Sequence, residues 1–448
     1  MRQHTCPHCS SLLEAEEDFS GKEVSCPQCG KAFFWPYTYT CPHCQATVKS
    51  DNNCEGFVIT CPGCKQKFSA SKSESHFSHL GKEFFSSVSD TLTNAANVKN
   101  IEGFKIKTFF SEIFKHHTQD DVENVFSGIH TNTTDAPQDM SFEWPKPWFF
   151  IRAMLWACIL TTVSYFLSIK TGNPNNFPLF FFLGSFSVPL ATLIFFFEIN
   201  FLKNISIYRV FSTFLSGTVI SFVLLSIVCQ ILELNPKLDT LWGATTVGLL
   251  EETAKVATVF FLTKNFARHY KINAMLIGAA VGAGFGCFET MGYIFNAFSD
   301  NLMEGAFEIS QKAQNAEQFY AILWKSIYEG LQSSKNVMLL RAMTSNFLGH
   351  IPWTAMSAVS LCRCYENGNF KSEKLHSKSF LCLFLIPVAL HTLWDYQFFD
   401  LHFAETSNLF TGLFVKFGLL GIIAWIYCIA LLGEGIAEVK KELQGLLP

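Results

Sequence analysis

The residues of this 448-residue chain best suited to chemistry lie inside its most apolar stretches. One stretch contains Leu250-Glu251-Glu252-Thr253-Ala254-Lys255, and the next contains Phe285-Gly286-Cys287-Phe288-Glu289. A third holds Arg341 and, nine residues on, His350; a fourth holds His391-Thr392-Leu393-Trp394-Asp395. Each charge near the centre of a membrane helix costs about 2.5–3.5 kcal/mol, so Glu251, Glu252, Lys255, Glu289 and Asp395 together would cost on the order of 15 kcal/mol if left unpaired. Packing alone does not justify that, so these groups must pair, line a watery cavity, or both. Glu251 and Lys255 stand one helical turn apart, as do His391 and Asp395. Adjacent Glu251 and Glu252 point about 100° apart, which predicts that they do not serve one point equally. A buried carboxylate is a suitable general base for water, and imidazoles can assist proton transfer or donate to an oxyanion. Glu and His are also zinc ligands. The set fits a hydrolase working inside a membrane, and it equally fits an ion-coupled transporter.

The elements that must position these groups follow from composition. Hydrophobic residues make up 49% of the chain and charged residues 16%, with 48 Phe. A globular protein is nearer a quarter charged. The net charge of −4 gives no reason to expect a nucleic-acid partner. Eight apolar segments, at 147–169, 177–201, 209–233, 241–263, 273–298, 337–361, 379–399 and 410–433, each approach or exceed the ~20 residues needed to cross a bilayer. Basic residues alternate between connections: Lys203 and Arg209, then Lys264, Arg268 and Lys271, then Arg363, Lys371, Lys374 and Lys378, then Lys440 and Lys441 fall on one side. That pattern predicts both termini in the cytosol of a bacterial-type inner membrane. It also brings Glu251, Glu252, Glu289, His350 and His391 to similar depth. Gly278, Gly282 and Gly286 form a small-residue stripe that lets a neighbouring helix approach closely. The connection 299–336 is polar and reads as partly helical.

Before the membrane segments stand eight cysteines in pairs. Cys6-Pro-His-Cys9 and Cys26-Pro-Gln-Cys29 are followed by Cys41-Pro-His-Cys44 and Cys61-Pro-Gly-Cys64, a repeat offset by 35 residues. Two CxxC knuckles aim four thiolates at one ion, so each unit predicts a structural Zn²⁺ site that supplies its folding energy. The expected organisation is zinc ribbon 1 at 1–35, zinc ribbon 2 at 36–70, a polar cytosolic linker at 71–144, a membrane domain at 145–435 and a cytosolic tail at 436–448. In the linker, Phe84 to Val98 and Phe104 to Phe114 have helical spacing; Phe109, Phe110, Ile113 and Phe114 suit either a membrane surface or a neighbouring domain. Asp120-Asp121-Val122-Glu123 reads as a helix start.

The motifs Glu251-Glu252-x-x-Lys255, Phe285-x-x-x-Glu289, a central His350 and His391-x-x-x-Asp395, in that order over about 241–400, resemble those of PrsW-type intramembrane proteases. These are relatives of the CAAX prenyl proteases and bacteriocin-processing membrane enzymes. The resemblance implies hydrolysis of membrane-bound protein substrates, such as a single-pass anti-sigma factor at its extracytoplasmic side. It gives Glu251 or Glu252 the activation of water, His350 and His391 the support of that base or of the oxyanion, and Asp395 the support of His391. Glu289 occupies the second-motif position, where the prenyl-protease relatives carry His. An active-site divalent metal and a metal-free glutamate mechanism both remain open at this point. The expectation is therefore an all-α polytopic membrane protein of about eight transmembrane helices, preceded by two small zinc-ribbon units. Its partners would be the bilayer, a membrane-bound protein substrate and a protein recruited by the ribbons. The alternatives are an ion-coupled transporter and a non-catalytic scaffold built on the same polar cluster.

Overall fold

A computed structural model describes residues 2–15, 23–41, 44, 46–50, 52, 54, 58–69, 104, 106–113, 115–126, 144–266, 269–366, 368–397 and 409–443. The expected helix at Phe84 to Val98, residues His43, Phe114 and Arg268, and the connection 400–408 lie outside these. The chain divides into two compact units, Met1–Val88 and Ser89–Pro448.

The first unit is built from four hairpins, each with a CxxC knuckle at its turn. They are β1 (Arg2–Thr5) with β2 (Leu12–Ala15), β3 (Glu23–Ser25) with β4 (Ala32–Phe34), β5 (Tyr37–Thr40) with β6 (Thr47–Ser50), and β7 (Val58–Thr60) with β8 (Lys67–Ser69). The knuckles turn through a left-handed residue at Ser10, Gly30 and Lys65, with φ of 58°, 71° and 59°. Gly30 takes that conformation without steric cost. The apolar supply is thin: Leu13, Phe33 and Trp35 surround Cys6 and Cys26, while Tyr39 and Val48 surround Cys41 and Cys61. Cores this small need a further constraint to hold.

The second unit is helical. Two short helices, α1 (Ile106–Phe109) and α2 (Gln119–Phe126), precede the long ones. The Thr118 hydroxyl accepts from the Asp121 N–H, and the Asp121 carboxylate accepts from the Thr118 N–H, a reciprocal cap at the expected helix start. The Thr118 N–H and hydroxyl hold the Asp121 carboxyl below its usual range. Phe109 is buried against Phe195 and Trp144, and Phe126 packs on Phe149 and Phe197. Of the two settings open to this segment, these aromatics take the neighbouring helices of their own unit.

All eight expected segments are helical. They form α3 (Phe149–Thr171), α4 (Asn176–Ile199), α5 (Ile207–Ile231), α6 (Leu241–Thr263), α7 (Lys271–Lys312), α8 (Ala316–Arg341) running into a π-helical turn at Ala342–His350, α9 (Ile351–Cys362), and, after a small hairpin of β9 (Tyr365–Glu366) and β10 (Asn369–Phe370), α10 (Lys378–Asp395) and α11 (Leu409–Leu443). Among the described residues six helices are long and apolar enough to cross a membrane: α3, α4, α5, α7, α10 and α11. The other two expected segments are set apart by their chemistry. Helix α6 has the length, 23 residues, but carries Glu251, Glu252 and Lys255. The 337–361 segment is interrupted by the π-helical turn, whose helical backbone breaks at Gly349. Helix α7 has 42 residues, about 63 Å at 1.5 Å per residue, twice a hydrocarbon core. It thus carries the expected connection into a helical hairpin with α8.

Side-chain placement matches a lipid solvent. Trp156 on α3 and Val219 on α5 are 67% and 62% exposed, apolar surface that water would not favour. Helices α4 and α7 form the buried centre. Glu198, near the end of α4, accepts from the N–H groups of Trp148, Phe149 and Phe150 at 2.9, 2.8 and 2.8 Å, so one carboxylate serves the orphan donors opening α3. The glycine stripe of α7 faces the His350-bearing segment. A methyl group at Gly282 would come 2.5 Å from the His350 carbonyl oxygen, and one at Gly286 would collide with the Asn346 amide oxygen. Gly292, on the same helix, has open space. Gly282→Ala should therefore destabilise by about 1–3 kcal/mol through overpacking. Gly292→Ala should not, since alanine is the better helix former. Thermal denaturation in one detergent checks the pair; equal midpoints would show that this contact does not set the packing.

Candidate active site

Four elements meet around one ammonium. Lys255 on α6 is wholly buried; its Nζ lies 3.2 Å from Glu251 Oε2, 3.0 Å from Glu252 Oε1 and 3.0 Å from His350 Nδ1. It also stands 4.2 Å above the Phe285 ring. The adjacent carboxylates, expected to diverge by 100°, both reach this nitrogen, because the long lysine stem folds back along α6 and meets each from its own side. That corrects the expectation that they would serve one point unequally.

Across from α6, Glu289 on α7 places Oε2 2.7 Å from His350 Nε2 and 2.7 Å from Arg341 Nη2. Arg341 stacks 4.0 Å over the Tyr293 ring. On α10, His391 sets Nδ1 3.1 Å from Glu252 Oε1, and its Nε2 lies 3.4 Å from Asp395 Oδ2 and 3.7 Å from Glu251 Oε2. Ser357 on α9 donates to Glu252 Oε2 at 3.5 Å. All the motif residues therefore converge in one cluster: Glu251, Glu252, Lys255, Glu289, His350, His391 and Asp395. Arg341 joins it. Its charge in an apolar helix was visible, but not its partner. Ser357 and Trp353, whose ring lies 4.9 Å from His391 and 5.6 Å from His350, carry no such signal in the sequence.

Proton positions follow from donor counts. A lysine ammonium only donates. His350 Nδ1 therefore accepts from Lys255, and its proton sits on Nε2, 2.7 Å from Glu289 Oε2. Access divides the carboxylates. The side chains of Glu251, Glu289 and Asp395 are 11%, 19% and 19% exposed, against 0% for Glu252. Glu252 spends its oxygens on Lys255, His391 and Ser357, whereas Glu251 keeps one oxygen at the open side. The partly exposed groups stand at the middle of α6, just before the middle of α7 and at the last residue of α10.

Formal charge completes the description. Four carboxylates, Glu251, Glu252, Glu289 and Asp395, face two fixed cations, Lys255 and Arg341, leaving two negative charges uncompensated (four minus two). A buried cluster does not hold that charge bare. It matches one divalent cation or two protons. Donor atoms of Glu251, His350 and His391 all lie within 4.8 Å of one another, and Glu252 behind His391 Nδ1 is the outer carboxylate that metal-binding imidazoles commonly have. The three residues match a cation in type and spacing, with His350 able to ligate only through Nε2 and only once that nitrogen gives up its proton, because Nδ1 accepts from Lys255.

Two more clusters lie in the first unit. Cys6, Cys9, Cys26 and Cys29 form one, and Cys41, Cys44, Cys61 and Cys64 the other. Cys6–Cys29 and Cys9–Cys26 sulfurs are 3.8 and 3.7 Å apart, and Cys41–Cys64 and Cys44–Cys61 are both 3.6 Å apart. A tetrahedral ion bonded to sulfur at ~2.3 Å requires edges of ~3.8 Å, so both sets fit a four-thiolate metal site. Cys54, outside both, donates its N–H to the Tyr39 hydroxyl at 2.7 Å.

Removing Arg341 should leave Glu289 buried against an uncharged neighbour, and Arg341→Leu should cost about 3–5 kcal/mol. Combining it with Glu289→Gln should recover part of that loss in a double-mutant cycle of unfolding. Strict additivity would show that the pair carries no mutual stabilisation.

No curated protein and no solved structure matches the chain. The model of one protein family, described as PrsW family intramembrane metalloprotease, matches residues 206–426. That range takes in every residue of the buried cluster. The chain is an integral membrane peptidase, similar over residues 206–426 to the PrsW family.

Proposed function

We propose that this protein hydrolyses peptide bonds of single-pass membrane proteins close to the extracytoplasmic face. The observation that carries the reading is the buried Lys255 hub, which fixes two carboxylates and an imidazole while leaving Glu251 open. Glu251 is the general base. It takes one proton from a water molecule as the water oxygen bonds to the scissile carbonyl carbon, and the carbonyl π pair moves onto oxygen. Collapse of that tetrahedral species breaks the C–N bond, and the proton held by Glu251 passes to the leaving nitrogen. Glu252 anchors Lys255 and orients His391 through Nδ1, and His391 Nε2–H, with Asp395 beside it, supports the developing oxyanion.

A divalent cation at Glu251, His350 and His391 would supply Lewis-acid polarisation of the water and balance the two excess charges. The basic residues at Lys203, Arg209, Lys264 and Lys271, then Arg363, Lys371, Lys374 and Lys378, support both termini in the cytosol of a bacterial-type inner membrane. That orientation puts Asp395, at the last residue of α10, toward the extracytoplasmic face. Zinc is the ion for the two four-cysteine sets, where a closed thiolate shell leaves no position for chemistry and the role is structural. The ribbons would present their outer faces to a cytosolic protein partner.

Two tests follow. In liposomes, with a fluorophore–quencher single-span peptide as probe, Glu251→Gln should lower kcat by about 10²–10⁴-fold. Ser357→Ala should change it less than about tenfold. Equal losses would move the base role from Glu251 to the Glu252 side of the hub. Elemental analysis of the purified chain should find two zinc ions held by the ribbons and a third cation in the membrane cluster. Cys26→Ser with Cys29→Ser should remove one ion, and His391→Ala should remove the third. Unchanged metal content would contradict these assignments.

A further inference from the structure

The segment that carries His350 holds unspent hydrogen-bonding capacity on both of its sides. Among the described residues, the Trp353 indole nitrogen and the Asn346 amide oxygen are buried without a hydrogen-bond partner. Both residues are 0% exposed. An unmatched buried polar atom is costly, so these beside one imidazole call for a reason. They are chemically opposite. The indole N–H only donates, and the amide oxygen only accepts.

Their placement is specific. Trp353 lies in the first turn of α9, with its ring 5.6 Å from His350 and 4.9 Å from His391, which are 5.2 Å from each other. Asn346 lies one turn before His350 in the π-helical segment. Its Nδ2 donates to Thr290 Oγ1 at 3.0 Å, which turns Oδ1 toward Gly286. The point where a Gly286 methyl would stand is also 3.6 Å from His350 Cδ2, so the amide oxygen packs closely on the Gly286 backbone beside the imidazole edge. The backbone there is irregular. It breaks at Gly349, and the Phe347 carbonyl is taken by the Trp425 indole at 2.9 Å. Irregular backbone at membrane depth occurs where it lines a cavity or is buried in protein.

A free donor and a free acceptor flanking an imidazole match the two polar groups of a peptide unit. We propose that Asn346 and Trp353 bind the substrate's peptide backbone in extended form, Asn346 Oδ1 accepting a substrate N–H and Trp353 Nε1–H donating to a substrate carbonyl oxygen. The ligand is an unwound stretch of polypeptide, because a helical substrate has its N–H and C=O groups spent internally. This subsite deepens the proteolytic reading above and rests on it, yet it concerns binding and can be read without turnover.

The test uses the full chain bearing Glu251→Gln in detergent micelles, with indole ¹⁵N-labelled tryptophan. The Trp353 signal is assigned by its loss in Trp353→Phe. The probe is the fluorophore–quencher single-span peptide, added in excess. The expected result is a downfield shift of the Trp353 indole proton, absent when Asn346→Leu abolishes peptide binding. In the otherwise intact enzyme, Trp353→Phe should lower kcat/KM by about 10- to 100-fold with an unchanged melting midpoint. An indole signal that does not respond to peptide overturns the proposal, whatever cleavage shows; the N–H would then be spent on the Trp394 ring, which crosses it at 78° and 5.6 Å. A responding indole in a protein that never cleaves the peptide keeps this subsite and removes the proteolytic reading instead.

Discussion

The Lys255 ammonium is the contact on which the membrane unit depends. A lone charge at that depth is costly to bury, and it is made tolerable by two carboxylates and an imidazole within 3.2 Å. Two of those contacts lie within α6, and the third joins α6 to the His350 segment. That third bond also sets the tautomer of His350, whose Nε2 faces Glu289 at 2.7 Å. Stability and chemistry are therefore drawn from one set of charges. Loss of the lysine would leave Glu252 buried with no cation beside it. The hub explains why the carboxylates of α6 stand at its middle rather than near its ends.

Around that hub the helices divide by task. Helices α4 and α7 are buried and rigid, and glycines on α7 let the His350 segment come close. Helices α3 and α5 turn apolar side chains outward to lipid. The π-helical turn and the break at Gly349 lie where the scaffold meets the cluster. At the start of α7, α11 is tied back: Lys271 lies 3.0 Å from Glu434 and 3.2 Å from Glu438, and Arg363 lies 2.9 Å from Glu434. Partly buried ion pairs hold that end.

Much of this was legible in the sequence, for physical reasons. Charges inside apolar runs are so costly that Glu251, Lys255, Glu289 and Asp395 had to meet partners, and similar depth named the helices that supply them. The CxxC spacing fixed which thiols share an ion. What escaped depends on side-chain reach and backbone irregularity, which have no periodic signature. The stem of Lys255 lets one nitrogen serve two diverging carboxylates. The nine residues from Arg341 to His350 read as ordinary helix, yet they form a π-helical turn that brings Arg341 onto Glu289. A polar run such as 299–336 reads as a connection, because helices above a membrane surface lose the apolar signal that marks the span. Trp353, one aromatic in an apolar run, is indistinguishable from core until its neighbours are known.

The central claim is that the Lys255-anchored cluster cuts membrane proteins through Glu251. The most direct measurement compares new protein termini, by mass spectrometry, in membranes from cells holding equal amounts of the intact chain or its Glu251→Gln form. The account predicts a set of cleavages near one membrane face that is present with the intact chain and missing with the variant. Identical terminus sets, at matched expression and under several stresses, would contradict it.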